Sequence, residues 1–222
     1  MFFLKNNRRL KIISKKSWFT NINPHFCVEN RNSMFRLYLE LGIEHIADLE
    51  GYDHILFVAM LCAVYTFKQW KQVLILVTAF TIGHSLTLAL ATLNIIRVPT
   101  VWVEFLIPIT IFITAVGNMV VSKPGNASAK IKYALALFFG LIHGLGFSNY
   151  LRSLLGAQKS ILVPLLAFNI GVELGQILIV LCVLTITAIM LHIFRVKQRD
   201  WTLILAGAGA GIALTLMIER LP

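Results

Sequence analysis

The chain has 222 residues, 58% of them hydrophobic and 14% charged, with a mean hydropathy of +0.79 and a formal net charge of +10. A soluble domain carries roughly 25% charged residues, so an ordinary water-soluble globule is excluded, and the apolar residues fall in the long blocks of a membrane protein. The basic residues are scattered between those blocks, which fits Lys and Arg beside anionic lipid and argues against nucleic acid as a partner.

Residues 1–33 hold seven of the 20 Lys and Arg, in runs such as KNNRRLKIISKK. They read as a basic N-terminal extension, either a disordered tail or sequence upstream of a natural start at Met34. No apolar stretch followed by a small-residue cleavage site is visible there. Residues 34–222 read as a single all-α membrane domain, a compact bundle of six transmembrane helices with short loops. The expected spans are 52–67 (with a helical or re-entrant lead-in from Leu37), 70–93, 100–121, 131–149, 161–185 and 201–218. Spans one and four have short apolar stretches for a hydrocarbon core of about 30 Å. Counted from Met34, one set of loops carries eight Lys and Arg and the other five, which favours both ends outside the cytoplasm; including residues 1–33 reverses the bias to 12 against eight.

Ionisable groups inside membrane segments face the protein interior and are functional candidates. Span one opens with Asp53 and His54, whose side chains diverge by about 100° on a helix; His45 precedes them in GIEHI. Span two carries a stripe of Thr78, Thr81, His84, Ser85 and Thr87. Span three has Glu104 near its start, Asn118 near its end, and Pro108, which removes one helical hydrogen bond and can free a carbonyl. In span four, FFGLIHGLGF sets His143 beside Gly140 and Gly144, spaced for close helix approach. Span five, AFNIGVELGQ, aligns Asn169, Glu173 and Gln176 on one face, with Gly171 and Gly175 as a second packing pair. Span six, with AGAGAG, reads as a thin packing helix. TIGHSL in span two and LIHGLG in span four form a faint internal echo.

The set of His, Asp, Glu and Asn without a Cys pair suits Ni, Co, Zn, Mn or Fe rather than Cu(I). Cys27, Cys62 and Cys182 are isolated and form no thiolate motif. HExxH, GxSxG, Walker A and Rossmann patterns are missing from the sequence. Two classes remain open on the residues: a permease that binds a metal ion transiently, or an intramembrane zinc-dependent hydrolase. In the second, Glu173 or Asp53 would act as base and Ser85 would stand beside His84. A metal-binding accessory or sensor protein is a third.

Five ordered stretches, GIEHIADLEGYDHILF, VTAFTIGHSLTLAL, VEFLIPITIFITAVGN, FGLIHGLGF and FNIGVELGQ, resemble the HupE/UreJ family of hydrogenase and urease accessory membrane proteins. The resemblance covers roughly 37–180. It implies six helices, a place in the bacterial cytoplasmic membrane, and permeation of nickel or a related divalent metal. Ni or Co would be the substrate ion, with Zn also compatible. It carries the family's polar residues to His45, Asp53, His54, His84, Glu104, His143, Asn169 and Glu173. The separation of His45 from the Asp–His pair, by IADLEGY, is longer than in many members. On this reading Asp53, His54, His84 and His143 are ligands, Glu173 compensates charge or couples protons, and Asn169 orients a ligand or binds directly. Thr81, Ser85, Glu104, Asn118 and Gln176 support them. The partners are the lipid bilayer, the metal ion and, in a homo-oligomer, further copies of the chain.

Overall fold

The computed structural model describes residues 31–120, 126–155 and 161–222. The basic extension expected over 1–33 lies outside them except for its last three residues. Contacts divide the chain into Met1–Met34 and Phe35–Pro222, and the second unit is the subject below. The helices are α1 (Arg31–Ala47), α2 (Asp53–Cys62), α3 (Trp70–Thr92), α4 (Thr100–Val120), α5 (Asn126–Leu155), α6 (Leu162–His192) and α7 (Gln198–Glu219), with a 3₁₀ turn at Phe67–Gln69. The described residues contain no strand. Many residues in α4 and α6 are β-branched, yet both stay helical. In a medium without water, a helix pairs its backbone groups internally.

Among the described residues, five helices are long and apolar enough to cross a membrane, namely α3 to α7. The first expected span differs. Instead of one helix over 52–67, the chain forms α1, a break at residues 48–52, and the ten-residue α2. At 1.5 Å per residue, α2 is about 15 Å long, roughly half the hydrocarbon thickness. The break has a local cause. Asp48 Oδ1 accepts a hydrogen bond from the Glu50 amide at 2.9 Å, the Asx-type turn that competes with helix, and Gly51 follows. Thr66 then starts the 3₁₀ turn, its amide donating to Gln69 Oε1 at 3.2 Å.

Elsewhere the helices run longer than the apolar pattern, α5 reaching Leu155 and α6 His192. The end of α3 is sharp because Asn94 adopts φ 60°. There the Ile95 amide bonds to Leu90 O and the Asn94 amide to Ala91 O, a left-handed cap that Asn tolerates.

Two helix pairs are drawn together by glycine. In α3 and α5, a Cβ at Gly83 would run into the carbonyl of Leu137, and one at Gly140 into that of Phe80. In α1 and α6, a Cβ at Gly42 would strike the carbonyl of Phe168, and one at Gly171 that of Leu39. Gly144 faces His84 O, and Gly175 more loosely faces Ile43 O. Within each pair the contacts climb both helices together, so α3 runs parallel to α5 and α1 parallel to α6. Gly207 and Gly211 of α7 touch nothing within 4 Å, whereas Gly209 packs against Met60.

Helices α4 and α7 are antiparallel. Arg199, at the start of α7, bonds to Met119 O near the end of α4. At the other end, Arg220 Nη1 stands 3.5 Å from Glu104 O. That carbonyl is the one Pro108 leaves without its helical donor. Short α2 is held against this framework by Asn118 Nδ2, which donates to Met60 O at 2.6 Å, and by Thr202, which donates to Ala63 O at 3.0 Å.

Candidate metal centre

Three histidines from three separate helices converge. His45 lies near the end of α1, His54 near the start of α2, and His84 in the second half of α3. One ring nitrogen from each falls within a group whose members are all within 4.8 Å of one another. Nitrogens bound to one tetrahedral metal at 2.0–2.1 Å would stand about 3.4 Å apart, so a small contraction of the rings would complete the coordination. His143, on α5, borders the trio, with its ring centre 5.2 Å from that of His54.

The nitrogens are poised rather than satisfied. His45 Nε2, His54 Nε2, His143 Nε2 and both nitrogens of His84 are buried with no hydrogen-bond partner. Unpaired buried polar atoms are costly, and five in one cluster mark a place for a cation, protons or water. His143 Nδ1 lies 2.9 Å from Phe139 O. A carbonyl oxygen only accepts, so Nδ1 carries the proton and the Nε2 lone pair is free. This is the backbone support typical of metal-binding histidines.

The walls are aromatic. Phe147 and Phe168 stack at 4.9 Å, and His45 lies 4.1 Å from the Phe147 ring. Phe57 and Phe80 flank His143 at 4.9 and 5.1 Å. These rings restrict both water and imidazole rotation. None of the four phenylalanines stands out in the sequence. Phe168 directly precedes Asn169 and Phe147 ends the FGLIHGLGF stretch, but a Phe in an apolar run reads as ordinary core.

Asp53 is a ligand in the sequence reading. The structure commits it elsewhere: its Oδ2 pairs with Arg220 Nη1 at 2.8 Å, and both side chains are largely buried. The divergence of adjacent side chains sends His54 to the cluster and Asp53 to α7. Arg220, in the sequence only a loop charge, is therefore the residue that holds the start of α2. Removing one partner of a buried pair leaves a charge uncompensated. We expect Arg220→Met to lower stability by about 3 kcal/mol, and the double variant Arg220→Met/Asp53→Asn to recover part of that loss, as read by thermal unfolding in detergent.

The α6 face meets α3. Asn169 faces the His84 ring, although neither His84 nitrogen makes a hydrogen bond of ordinary geometry; its Nδ2 donates to Leu165 O and its Oδ1 is unpartnered. Glu173 Oε1 accepts from Thr78 at 2.6 Å, leaving Oε2 unpartnered. Gln176 Oε1 accepts from Thr81 at 2.8 Å. Glu104 exposes its side chain, so only its backbone takes part. Asn118 serves α2 rather than the cluster, and Ser85 is half-buried with no hydrogen bond to His84.

Compared with protein families, the chain matches HupE / UreJ protein over residues 23–220. The chain belongs to the HupE / UreJ family. No curated protein and no solved structure match it. For this HupE / UreJ protein, family membership and geometry agree on a helical membrane protein whose buried histidines are able to bind a metal ion. Which metal they take is a separate question, since imidazole suits Ni, Co and Zn alike.

Proposed function

We propose that this HupE / UreJ protein is a secondary permease for Ni²⁺ or a related divalent transition metal such as Co²⁺ in the bacterial cytoplasmic membrane. The observation that carries this reading is the meeting of His45, His54 and His84 from three helices with their nitrogens unpartnered. A permease must release what it binds. Ligands borne on separately movable helices allow that, whereas a rigid cage would not. On this reading α1 and α2 together act as a sixth, broken crossing, and broken helices lie at the ion sites of many transporters. His143 and Asn169 complete the ligand set in turn. Glu173, one helical turn beyond Asn169, offsets the charge of a divalent ion held by neutral imidazoles. Asp53 positions His54 by anchoring α2.

A zinc hydrolase is the competing reading, because three histidines with an open position also suit a metal-bound water. Equilibrium titration of detergent-purified protein with Ni²⁺, Co²⁺ and Zn²⁺ separates the two. Reversible binding together with metal entry into sealed vesicles supports the permease. One Zn²⁺ per chain that resists dialysis, without flux, would overturn it.

Proton competition sets a further expectation. Only neutral imidazole binds metal, so protons compete with the ion for the same nitrogens. Affinity should therefore fall, and not rise, as the pH is lowered from 7.5, measured by the same titration across pH. Affinity that rises as the pH falls would remove the histidines from the site.

A further inference from the structure

The two glycine-joined helix pairs carry matching sequences. Helix α1 has LELGIEH (Leu39–His45) and α5 has LFFGLIH (Leu137–His143), sharing Leu, Gly and His at the same spacing. Helix α3 has FTIGHSL (Phe80–Leu86) and α6 has FNIGVEL (Phe168–Leu174), sharing Phe, Ile, Gly and Leu. Their contacts match too. In every case the glycine faces the carbonyl of the residue three before its partner's glycine: Gly42 with Phe168, Gly171 with Leu39, Gly140 with Phe80, and Gly83 with Leu137.

Directions complete the pattern. Since α1 is parallel to α6, α3 is parallel to α5, and successive crossings alternate, α1, α3 and α4 run opposite to α5, α6 and α7 in turn. The third members, α4 and α7, pack antiparallel against each other, as a two-fold axis in the membrane plane requires. The relation thus links α1 with α5 and α3 with α6. The look-alike stretches of spans two and four lie on helices that are partners, not counterparts. Helix α2 has no counterpart and is inserted in the first repeat.

We propose that the chain is an inverted repeat of three plus three helices, and that His45 and His143 are symmetry-related ligands that serve the metal alternately in two oppositely facing states. Each lies three residues after its joining glycine. His54 is central to both, with its ring 4.6 Å from that of His45 and 5.2 Å from that of His143. His84 has Val172 at its counterpart position, so with His54 it is common to both states. In the present structure His45 completes the trio and is half-buried, while His143 is fully buried. On this proposal the present state opens toward one end of the bundle. Exchange of His45 for His143 turns the site toward the opposite end, as the rocking of inverted repeats does elsewhere.

The proposal rests on the permease reading, and its test separates the two. Wild type, His45→Ala and His143→Ala are placed in sealed vesicles of determined orientation and loaded with Co²⁺. A membrane-impermeant chelator is then added to one face or the other. Each single variant should keep Co²⁺ binding through the state whose histidine remains, weakened by up to about tenfold where that state is the less populated. His143→Ala should lose its metal only to chelator on one side, His45→Ala only to chelator on the opposite side, and wild type to either. Release of both variants' metal from the same face would overturn the repeat-exchange proposal and leave the metal site standing. So would loss of all binding in both, which would mean one site needing four histidines at once. Failure of wild type to bind either Co²⁺ or, in its place, Ni²⁺ would overturn this proposal and the permease reading together. Thermal unfolding of each variant checks its fold, and His45→Gln and His143→Gln, closer in shape to the native side chain, repeat the comparison where alanine destabilises.

Discussion

Replacing His84 with leucine is expected to abolish metal binding and, in the same protein, to raise the thermal stability of the metal-free form. The two effects have one cause. His84 is fully buried and neither of its ring nitrogens makes a hydrogen bond of ordinary geometry. A buried polar atom left unsatisfied costs about 1–3 kcal/mol. Leucine fills a similar volume without that penalty and is the better helix former, so the metal-free variant should melt a few degrees higher. Metal binding moves the other way. Loss of an outer-shell partner already costs about 10–100-fold in affinity, and loss of a direct ligand should exceed about 100-fold. At metal near 100 times the dissociation constant, wild type should gain about 2.7 kcal/mol and the variant nothing. Unfolding scans with and without Ni²⁺ read both effects. A metal-free variant that melts lower than wild type would mean that His84 serves the fold rather than an ion.

The second large effect concerns backbone approach. Gly171→Ala places a methyl group against the Leu39 carbonyl. Backbone cannot rotate away as a side chain can, so α1 and α6 must separate, at a cost of about 3 kcal/mol. Gly207→Ala is the matched control, because nothing lies within 4 Å of that position. Alanine there should be neutral or stabilise by up to about 1 kcal/mol, since glycine weakens a helix. Thermal unfolding of the two variants side by side checks the contrast. Equal behaviour would show that α1 is not held by the glycine contact.

Much of this site is legible in residue types, and the illegible part is long-range. His84, His143 and Glu173 stand out because each interrupts an apolar run where an ionisable group is expensive. Their convergence with His45 is harder to see. Helix α1 carries Arg36, Glu40 and Glu44 among its apolar residues, with Arg36 and Glu40 paired at 2.8 Å on its exposed face, and so lacks a clear membrane signature. The break at Asp48–Gly51 is written in turn chemistry, but a hydropathy pattern averages over it. The GxxxG spacing of Gly140 with Gly144 and of Gly171 with Gly175 announces close packing without naming the partner; α3 and α1 emerge only in the fold. Asp53 shows the limit most plainly. Its partner lies 167 residues away, and no local pattern connects them.

That distance has a consequence for how the protein is made. Asp53 leaves the ribosome early, on a helix too short to cross the bilayer, while Arg220 is still unsynthesised. At about 5–20 residues per second, the carboxylate waits on the order of ten to thirty seconds for its cation. During that interval Asn118 becomes available to hold the Met60 end of α2, but the Asp53 end lacks its cation. The α4 carbonyl freed by Pro108 waits as well. The arrival of one arginine settles both, so the start of the short helix and its histidine are secured late in biogenesis, after the other helices have formed the walls around them.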